Sequence, residues 1–486
     1  MIQDNLINPA DFVGSSLDQA YQESLDFIYS FIDYSMKRNL RNAKRNFKIE
    51  RMTHFMHLLG DPQNNYKVIH IAGTKGKGSV AAFCANALIA AGYKVGLYTS
   101  PHMIEFTERI QVNGRQIQKD AVVRLVSRLR DVAQEVPDIT TFELMTALGF
   151  LFFADEKVDV AVIEVGLGGR LDATNIVTPF ISVITGISYD HTQVLGKTLS
   201  KIAFEKGGII KPGIPVVIAP QKSEALMRLK KISIDRSAPV IEVGKDILFV
   251  ERSHSLDGQT FIVWNPGEQE KMNAYLNNDG QTEWKPVEFS IPLLGYHQVI
   301  NATTAYAVLV KARDLGVKIP LDAICNGFSN TSWPGRFEII RRQPPVVIDS
   351  AHNRDSAQKL RQALDDYFPG VPVILLFGVS LDKDYSGILE ELLPRVSRVI
   401  ATQTIHPRAL NGEEICRQVL TYGKPCLAIT PIELALERAL EMAGEKFLLL
   451  AAGSVFVAAA VKDIWLNVTK SNRNHVAENS KDGSSG

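Results

Sequence analysis

A glycine-rich loop between an apolar run and an alanine-rich run is the feature that most constrains how this chain folds. The loop is Gly73-Thr-Lys-Gly-Lys-Gly-Ser79; Val68-Ile-His-Ile71 precedes it, and residues 80–91, which contain no Pro or Gly, follow it. This order is typical of a strand, a tight turn and a helix. In such a unit the loop N–H groups and the helix N-terminus hold phosphate oxygens. The segment therefore predicts an α/β fold with a phosphate site.

The loop differs from the strict P-loop pattern G-x-x-x-x-G-K-[ST]. Ile71 stands where the first glycine belongs, and Gly78 separates Lys77 from Ser79. In the strict pattern the lysine reaches the outer phosphates and the hydroxyl serves phosphate or Mg²⁺. Both residue types are present here at an altered spacing. The loop thus predicts nucleotide binding but points away from the commonest P-loop NTPases.

Strand-like and helix-like runs alternate through most of the chain, which predicts a layered α/β architecture. We expect a P-loop NTPase-like N-terminal domain with a mostly parallel sheet, and a smaller, Rossmann-like C-terminal α/β domain. The predicted strands cover residues 95–98, 158–164, 181–185, 216–219, 345–348, 373–377, 396–401 and 447–451. The predicted helices cover residues 80–91, 119–136, 142–153, 299–315 and 355–367.

A polar segment rich in Gly and Asn, residues 250–290, interrupts this alternation. Short alternating runs within it predict antiparallel hairpins, and Asn277-Asn-Asp-Gly280 predicts a turn. The two α/β halves meet near residues 330–335. We therefore assign residues 1–333 and 334–468 to two domains, and the polar residues 469–486 to a disordered tail.

The composition argues against nucleic-acid and membrane partners. Lys+Arg and Asp+Glu number 53 each among 486 residues, so no net field attracts either. The basic segment Lys37–Arg51 is interpreted as a solvated helix face or loop. The most apolar stretch, residues 447–461, is shorter than the ~20 residues of a membrane span. We expect a cytoplasmic monomer. The four cysteines lack the spacing of a metal site, and we interpret them as reduced thiols: Cys84, Cys325, Cys416 and Cys426.

Two further segments place charged residues at the carboxyl ends of predicted strands, where open α/β sheets bind ligands. Glu164 ends one strand and is followed by a glycine-rich turn, and Asp190-His191 follows the next strand. Carboxylates in such a position suit Mg²⁺ held against phosphates. Each also has a plainer interpretation, because Glu164 could cap the next turn and a single histidine is often structural.

Lys206 and Arg336 are the other candidates for chemistry. Lys206 ends a helix beside two glycines, and a buried lysine there would have a lowered pKa and a reactive neutral amine. Arg336 offers a planar fork of donors for a γ-phosphate, and Asp349-Ser-Ala-His352 follows a strand nearby in sequence. The plainer interpretations are a surface charge for Lys206 and a salt bridge for Arg336.

Taken in order, these segments resemble the folylpolyglutamate synthase/dihydrofolate synthase family, a branch of the Mur-ligase-type ATP-dependent amide ligases. The resemblance runs from about Tyr21 to Val461. It implies that ATP drives the joining of L-glutamate to a folate or dihydropteroate carboxylate through an acyl phosphate. It also implies an ATP-binding domain at residues 1–333 and a glutamate-ligase domain at 334–468. Its landmarks are residues 59–63, 70–79, 96–102, 164–175, 190–196, 205–212, 295–302, 333–336 and 349–353.

The resemblance implies a role for each site residue of the first half. Ser100 and Glu164 resemble the ligands of one Mg²⁺. Glu164, His191 and Lys206 would surround a second Mg²⁺, with Lys206 carbamylated so that a buried amine becomes an oxygen ligand. His297 and Asn301 match positions near the adenine. The β- and γ-phosphates would be held by the loop residues Gly73, Thr74, Lys75, Gly76, Lys77, Gly78 and Ser79.

In the second half the resemblance implies that Arg336 clamps the γ-phosphate and that Asp349 contacts the nucleotide. His352 and Ser454 match positions associated with the incoming glutamate. The catalytic residues would be Lys77, Lys206, Arg336 and His352.

The chain departs from the usual family pattern at four positions: Lys75, Thr141, Gly207 and Ser350. Of these, Thr141 belongs to a segment near the pterin side, so it concerns which acceptor is preferred.

Two other functions compete with the ligase. A phosphotransferase or ATPase would explain the loop and Glu164, but it leaves Lys206 and the whole second half without a purpose. A ligase-like binding protein without turnover would be expected to have lost Lys77, Glu164 or His191, which are all present. The choice among dihydropteroate, folate monoglutamate or both as the acceptor stays open at this point.

Overall fold

The computed structural model describes residues 15–32, 48–404 and 406–467. Contacts divide the chain into two units: Met1–Pro292 with Tyr296–Ser332, and Leu293–Gly295 with Trp333–Gly486. Most of the basic segment that begins at Lys37, and the predicted tail at 469–486, lie outside the described residues. Within the described ranges, no helix is both long enough and apolar enough to cross a membrane. The assignment of ATP binding to residues 1–333 and of glutamate binding to 334–468 stays a prediction.

The first unit is built on an eight-stranded sheet. Six neighbouring strands run parallel, in the order β2-β5-β1-β6-β7-β8. Beyond β2 the sheet continues with β3, which pairs antiparallel with β2, and with β4, which pairs antiparallel with β3. This confirms the predicted mostly parallel sheet. The strands are β1 (Lys67–Ala72), β2 (Val95–Tyr98), β3 (Ile110–Val112), β4 (Arg115–Gln116), β5 (Val160–Glu164), β6 (Ile181–Ile184), β7 (Val216–Ile218) and β8 (Val240–Glu242).

Helices cover both faces of this sheet, which is why its central strands are continuous apolar runs and not alternating ones. All residues of β5 and β6 are buried, as are Val68–Ala72 of β1. The helices of the unit are α1 (Ser15–Tyr29), α2 (Ile49–Leu58), α3 (Lys77–Ala90), α4 (Lys119–Glu135), α5 (Thr141–Asp155), α6 (Thr192–Leu195), α7 (Leu199–Lys206), α8 (Ser223–Asp235), α9 (Gln269–Asn277), α10 (Tyr296–Asp314) and α11 (Leu321–Ser329).

The strand order sets where the site lies. β1 is paired with β5 on one side and with β6 on the other, and all three are parallel. Their carboxyl ends therefore meet at one edge of the sheet. The glycine loop leaves β1 at this edge, Glu164 ends β5, and the segment that leads to His191 leaves β6.

The polar segment forms the predicted antiparallel sheet, but with an additional helix. β9 (Leu248–Ser255), β10 (Gly258–Trp264) and β11 (Val287–Ile291) pair antiparallel. The sequence prediction missed α9 between β10 and β11. The predicted turn is present at residues 278–280, but it ends α9, whose last residue is Asn277, and does not close a hairpin; Asp279 and Gly280 have positive φ. Asn and Gly favour helix C-termini for the same conformational reason that they favour turns, so the signal was ambiguous.

The second unit has its own six-stranded sheet, in the order β12-β13-β17-β14-β15-β16. Only β12 is antiparallel to its neighbour, which confirms the predicted parallel α/β arrangement. The strands are β12 (Glu338–Arg342), β13 (Pro345–Ile348), β14 (Val373–Phe377), β15 (Val396–Ala401), β16 (Cys426–Ala428) and β17 (Leu448–Ala452). The helices are α12 (Arg354–Tyr367), α13 (Tyr385–Leu392), α14 (Gly412–Thr421), α15 (Ile432–Ala443) and α16 (residues 455–467).

One cysteine prediction was wrong. Cys416 and Cys426 form a disulfide with their Cα atoms 5.3 Å apart, whereas Cys84 and Cys325 are free thiols. The pair is ten residues apart in sequence, and β16 turns back along α14, so the fold brings together two cysteines whose spacing matches no familiar motif. Cys84 is a buried residue of α3, and its burial raises the pKa of its thiol.

Candidate active site

The glycine loop is shaped by two close approaches. Gly73 and Gly76 both have positive φ, which side chains disfavour. A Cβ on Gly73 would lie 1.8 Å from Thr185 Oγ1, and one on Gly76 would lie 2.2 Å from Asn301 Oδ1. Gly76 is also the N-cap of α3, so Lys77 is the first helical residue. Any larger residue at either position would push the loop off the sheet edge.

Only part of the loop backbone is available for phosphate. The N–H groups of Thr74 and Lys75 both donate to the carbonyl of Gly186, at 2.9 and 3.1 Å, and the Thr74 hydroxyl donates to Ser188 O. These bonds tie the first half of the loop to the segment after β6. The first turn of α3, which begins at Lys77, has no intrahelical acceptors for its N–H groups. The loop donors that remain open to a phosphate are therefore those at the N-terminus of α3.

Two lysines of the loop meet carboxylates at the edge of the sheet. Lys77 Nζ lies 3.7 Å from Glu164 Oε1, and Lys75 Nζ lies 3.4 Å from Asp190 Oδ2. Glu164 is buried, and its other oxygen accepts the Ser100 N–H at 3.3 Å. The structure thus brings together the predicted loop lysines and the predicted strand-end carboxylates.

Lys206 points into the same edge from the end of α7. It is buried, and its Nζ donates to the carbonyl of Gly73 at 2.7 Å. Burial, followed by repulsion from Lys77, lowers the pKa of Lys206 to about 7. A substantial fraction of the amine is therefore neutral near pH 7, which is the form that can react with CO₂.

The oxygen-rich donors at this edge fit Mg²⁺. Glu164 supplies a buried carboxylate below the N-terminus of α3, and Ser100 follows β2 beside it. His191 lies half-buried in a left-handed conformation at the start of α6, with its Nε2 3.8 Å from Asp190 Oδ1. No group of three or more His, Cys, Asp or Glu side chains within the described ranges is arranged to hold a metal. The donors therefore amount to a partial shell, of the kind that phosphate oxygens and water complete around Mg²⁺.

A buried hydrogen-bond network below Glu164 was missed by the sequence analysis. Asp172 accepts the Leu167 N–H at 2.8 Å and the Thr174 hydroxyl at 2.6 Å. Because that hydroxyl donates to Asp172, it accepts from His70 Nε2, at 2.8 Å. Burial raises the pKa of Asp172 and lowers that of His70 to about 3. The network fixes the turn after Glu164. Leu167, Asp172 and Thr174 are in the landmark segment 164–175 and His70 is in the segment 70–79, but no role was predicted for any of them.

Glycines also join the turn after Glu164 to the end of α7. A Cβ on Gly169 would lie 2.8 Å from the Lys206 carbonyl, and one on Gly208 would lie 2.3 Å from Arg170 Cβ. The Arg170 N–H donates to Glu205 O at 2.7 Å. The two glycine motifs of the sequence are therefore one packing interface, and this interface sets the distance between the Glu164 turn and Lys206.

The predicted adenine residues lie one turn apart in α10. Asn301 is buried against Gly76 of the loop, and its amide donates to Gln298 Oε1 at 3.0 Å. His297 is half-buried in the first turn of the helix. Their proximity to the loop is compatible with a nucleotide contact, and their assignment to the adenine stays a prediction.

The second unit places its candidates at the carboxyl ends of β13 and β17. Asp349 follows β13, and its two carboxylate oxygens accept the N–H groups of Phe337 and Ala351, both at 2.7 Å. Arg336 lies in the adjacent loop and donates from Nη1 to the Gly335 carbonyl at 3.0 Å. Its guanidinium pairs with no carboxylate in the described part of the chain, which disfavours the salt-bridge interpretation.

His352 and Ser454 lie on the same edge. His352 Nδ1 is 2.8 Å from the Ser350 carbonyl, which requires the proton on Nδ1 and makes Nε2 the acceptor of the neutral ring. The Ser454 hydroxyl accepts the Val457 N–H at 3.1 Å at the start of α16. The Gly453 N–H donates to Ala351 O at 3.0 Å and joins the two strand ends.

Two of the departures from the family pattern, Thr141 and Ser350, are buried side chains. The Thr141 hydroxyl donates to the carbonyls of Ile28 and Phe31, at 3.1 and 3.2 Å, and so ties the start of α5 to the end of α1. The Ser350 hydroxyl is buried, and its Oγ has no hydrogen-bond partner within the described residues. Neither residue alters the charged groups at the two strand edges.

Comparison with known proteins identifies the family. Residues 71–309 match the Mur ligase middle domain, and residues 335–455 match the Mur ligase glutamate ligase domain. A dihydrofolate synthase/folylpolyglutamate synthase of Bacillus subtilis is 35% identical over 383 residues, which is 77% of this chain and 83% of that protein. A folylpolyglutamate synthase of Lacticaseibacillus casei is 34% identical over 386 residues, or 78% and 84% of the two chains.

Solved structures agree in fold. The Mycobacterium tuberculosis folylpolyglutamate synthase complexed with ADP and AMPPCP has a TM-score of 0.80 and 29% identity, over 92% of this chain and 99% of that one. Escherichia coli FolC in complex with DHPP and ADP has a TM-score of 0.78 and 27% identity, over 93% and 98% of the chains. The sequence, the sheet topology and the assembled site lead to one conclusion: the chain belongs to the folylpolyglutamate synthase/dihydrofolate synthase family of Mur-type ligases.

Proposed function

We propose that this protein uses ATP to join L-glutamate to the carboxylate of a folate, of dihydropteroate, or of both. Family membership supports the reaction class. The observation that carries the proposal is the meeting of Lys77, Glu164 and Lys206 at the edge where β1, β5 and β6 end. An ATPase or phosphotransferase that only binds phosphate in its loop has no use for a buried lysine such as Lys206, whose pKa is lowered and which donates to the carbonyl of Gly73.

The loop would bind and orient the nucleotide. The N–H groups in the first turn of α3 would hold the β- and γ-phosphates, and Lys77 would exchange its contact with Glu164 for the outer phosphate. Glu164 and Ser100 would then hold one Mg²⁺, and His191 with carbamylated Lys206 would complete a second site. When bound, these ions neutralise charge that develops on the transferring phosphoryl group.

The chemistry requires no protein nucleophile. The acceptor carboxylate attacks the γ-phosphorus and ADP leaves, which gives an acyl phosphate; the amine of glutamate then attacks the acyl carbon and phosphate leaves. Catalysis is mainly positioning and charge stabilisation. The Arg336 guanidinium pairs with no carboxylate among the described residues and would stabilise the phosphoryl group with its planar fork. Asp349 would contact the nucleotide, and His352 and Ser454 would hold the incoming glutamate.

The test is incorporation of labelled L-glutamate in the presence of ATP and Mg²⁺, measured in parallel with dihydropteroate and with tetrahydrofolate monoglutamate. We expect incorporation into at least one acceptor, with one phosphate released for each glutamate joined. Phosphate release that does not depend on glutamate and on an acceptor would instead support an ATPase or phosphotransferase. The cytoplasmic location and the monomeric state stay predictions from the sequence.

A further inference from the structure

A second candidate binding feature lies between α6, α7 and α8 of the first unit. It is an open groove of about 480 Å³, called here the α7 groove. Three cationic side chains line it, those of Arg170, Lys201 and Arg228, together with one carboxylate, that of Glu205. The proposed roles for the ligase reaction use none of these four residues.

The negative charges around the α7 groove are already engaged. Arg170 forms two hydrogen bonds with Glu205, at 3.1 and 3.3 Å. At the end of the groove, Glu224 accepts the Ser200 N–H at 2.9 Å. Within the described ranges neither Lys201 nor Arg228 pairs with a carboxylate. Among the described residues the lining therefore has three cations against one carboxylate, and Lys201 and Arg228 are the cations that pair with no carboxylate.

An exposed aromatic ring orders two of the cations. Phe204 is 38% exposed, and the guanidinium carbons of Arg228 and Arg170 lie 4.7 and 5.5 Å from its ring centroid. Such contacts hold a guanidinium flat against the ring and leave its edge donors directed outward. Arg228 Nε is buried there without a hydrogen-bond partner. The stem of Lys201 packs over Gly196, where a Cβ would lie only 2.8 Å from Lys201 Cβ.

The α7 groove shares two helices, α6 and α7, with the proposed reaction centre. Two consecutive residues of α7 point to opposite sides: Lys206 donates to the Gly73 carbonyl, whereas Glu205 pairs with Arg170 in the groove. Gln193, which lines the groove, is two residues after His191 in the short helix α6. The helices α6 and α7 therefore carry residues of both the groove and the proposed reaction centre.

We propose that the α7 groove binds the inner carboxylates of a γ-linked glutamate tail on the acceptor. Each joined glutamate leaves one α-carboxylate uncoupled, so the tail presents negative charges at regular intervals. Guanidinium forks bind carboxylates through paired, charge-assisted hydrogen bonds. The groove would thus hold the part of the tail that has already been built while its last γ-carboxylate lies at the γ-phosphate. This inference rests on the proposed function and names the substrate class of that site.

The first test compares acceptors that differ only in tail length. With Arg228→Glu, we expect KM for tetrahydrofolate tetraglutamate to rise about tenfold or more, as loss of a charge-assisted pair implies. KM and kcat for the monoglutamate should stay within about twofold, since its single glutamate is the reacting one and no inner glutamate is left to occupy the groove. Lys201→Glu is a second variant with the same expectation. Lys231→Glu is the matched control, because it makes the same charge change on an exposed residue of α8 outside the groove.

The second test does not depend on turnover. Calorimetry should detect binding of free tetra-γ-L-glutamate to the wild-type protein and to Lys231→Glu, but not to Arg228→Glu. No binding to the wild type, or equal binding to all variants, would overturn the groove proposal. Equal KM increases for the short and the long acceptor would also overturn it, because Arg228 would then act on the fold. Absence of glutamate incorporation with every acceptor would contradict the proposed function, while the calorimetry would still decide the groove.

Discussion

The two strand edges hold their polar side chains in different ways. At the edge of the first unit, charged side chains are held by one another or by the loop: Lys77 lies 3.7 Å from Glu164, and Lys206 donates to Gly73 O. A phosphate that binds Lys77, or a cation that binds Glu164, has to replace their mutual contact. Binding at this edge is therefore an exchange of partners.

At the edge of the second unit, the backbone holds the side chains. Asp349 accepts two N–H groups, and His352 donates to a carbonyl, so backbone hydrogen bonds fix both side chains. Arg336 donates to the carbonyl of its neighbour Gly335, its one hydrogen bond within the part of the chain that the structure describes. The difference teaches that the first edge is sensitive to changes of charge, whereas the second is sensitive to the geometry of donors.

The charge-sensitive edge should show the largest effect. Lys206→Ala should lower kcat about 10³-fold, because both the buried amine and its carbamate are lost, while the melting temperature changes by only a few degrees. With ¹³C-bicarbonate, the wild type should give a carbamate signal by NMR that the variant lacks. Turnover near that of the wild type would contradict the role of Lys206, and a variant signal equal to the wild-type signal would place the carbamate elsewhere.

The strand edge of the second unit is best tested by a substitution that keeps the positive charge of Arg336 but removes its planar guanidinium. Arg336→Lys should lower kcat about 10- to 100-fold, because an ammonium cannot replace a planar fork against a phosphoryl group. Arg342→Lys is the control, since Arg342 is an exposed residue at the end of β12. Equal activity of both variants would show that Arg336 supplies only charge or is not involved.

The buried network should affect stability before it affects chemistry. Asp172→Asn keeps the shape but replaces an acceptor oxygen by a donor, which opposes the Leu167 N–H or the Thr174 hydroxyl. We expect a loss of about 1–3 kcal/mol in the free energy of unfolding, measured by urea denaturation. An unchanged free energy would mean that the network does not fix the turn after Glu164.

The same network predicts a dependence of stability on pH. Burial lowers the pKa of His70 in the folded state to about 3, while the unfolded chain binds the proton with a pKa near 6.5. Acid therefore favours unfolding. From about pH 6.5 down to about pH 3, the free energy of unfolding should fall by about 1.4 kcal/mol per pH unit because of His70. In His70→Gln that part of the slope should vanish. An identical acid slope in both proteins would contradict a buried neutral His70.

The sequence predicted the parts of this molecule that depend on local pattern and strand direction. Glu164 and Asp349 could be placed at sheet edges because each follows an apolar strand, and parallel strands end on the same side. The Asp172 network, α9 and the disulfide between Cys416 and Cys426 could not be predicted in this way. Each depends on which distant or reversing segment packs against a residue, and a one-dimensional pattern does not contain that information.

The most direct measurement of the central claim follows oxygen from the acceptor. The acceptor carboxylate is labelled with ¹⁸O, and the phosphate released during glutamate-dependent turnover is analysed by mass spectrometry. If the loop presents the γ-phosphate to the acceptor carboxylate, one ¹⁸O should appear in the phosphate for each glutamate joined. Phosphate that carries no ¹⁸O during turnover would contradict an acyl phosphate and, with it, the role assigned to the edge formed by Lys77, Glu164 and Lys206.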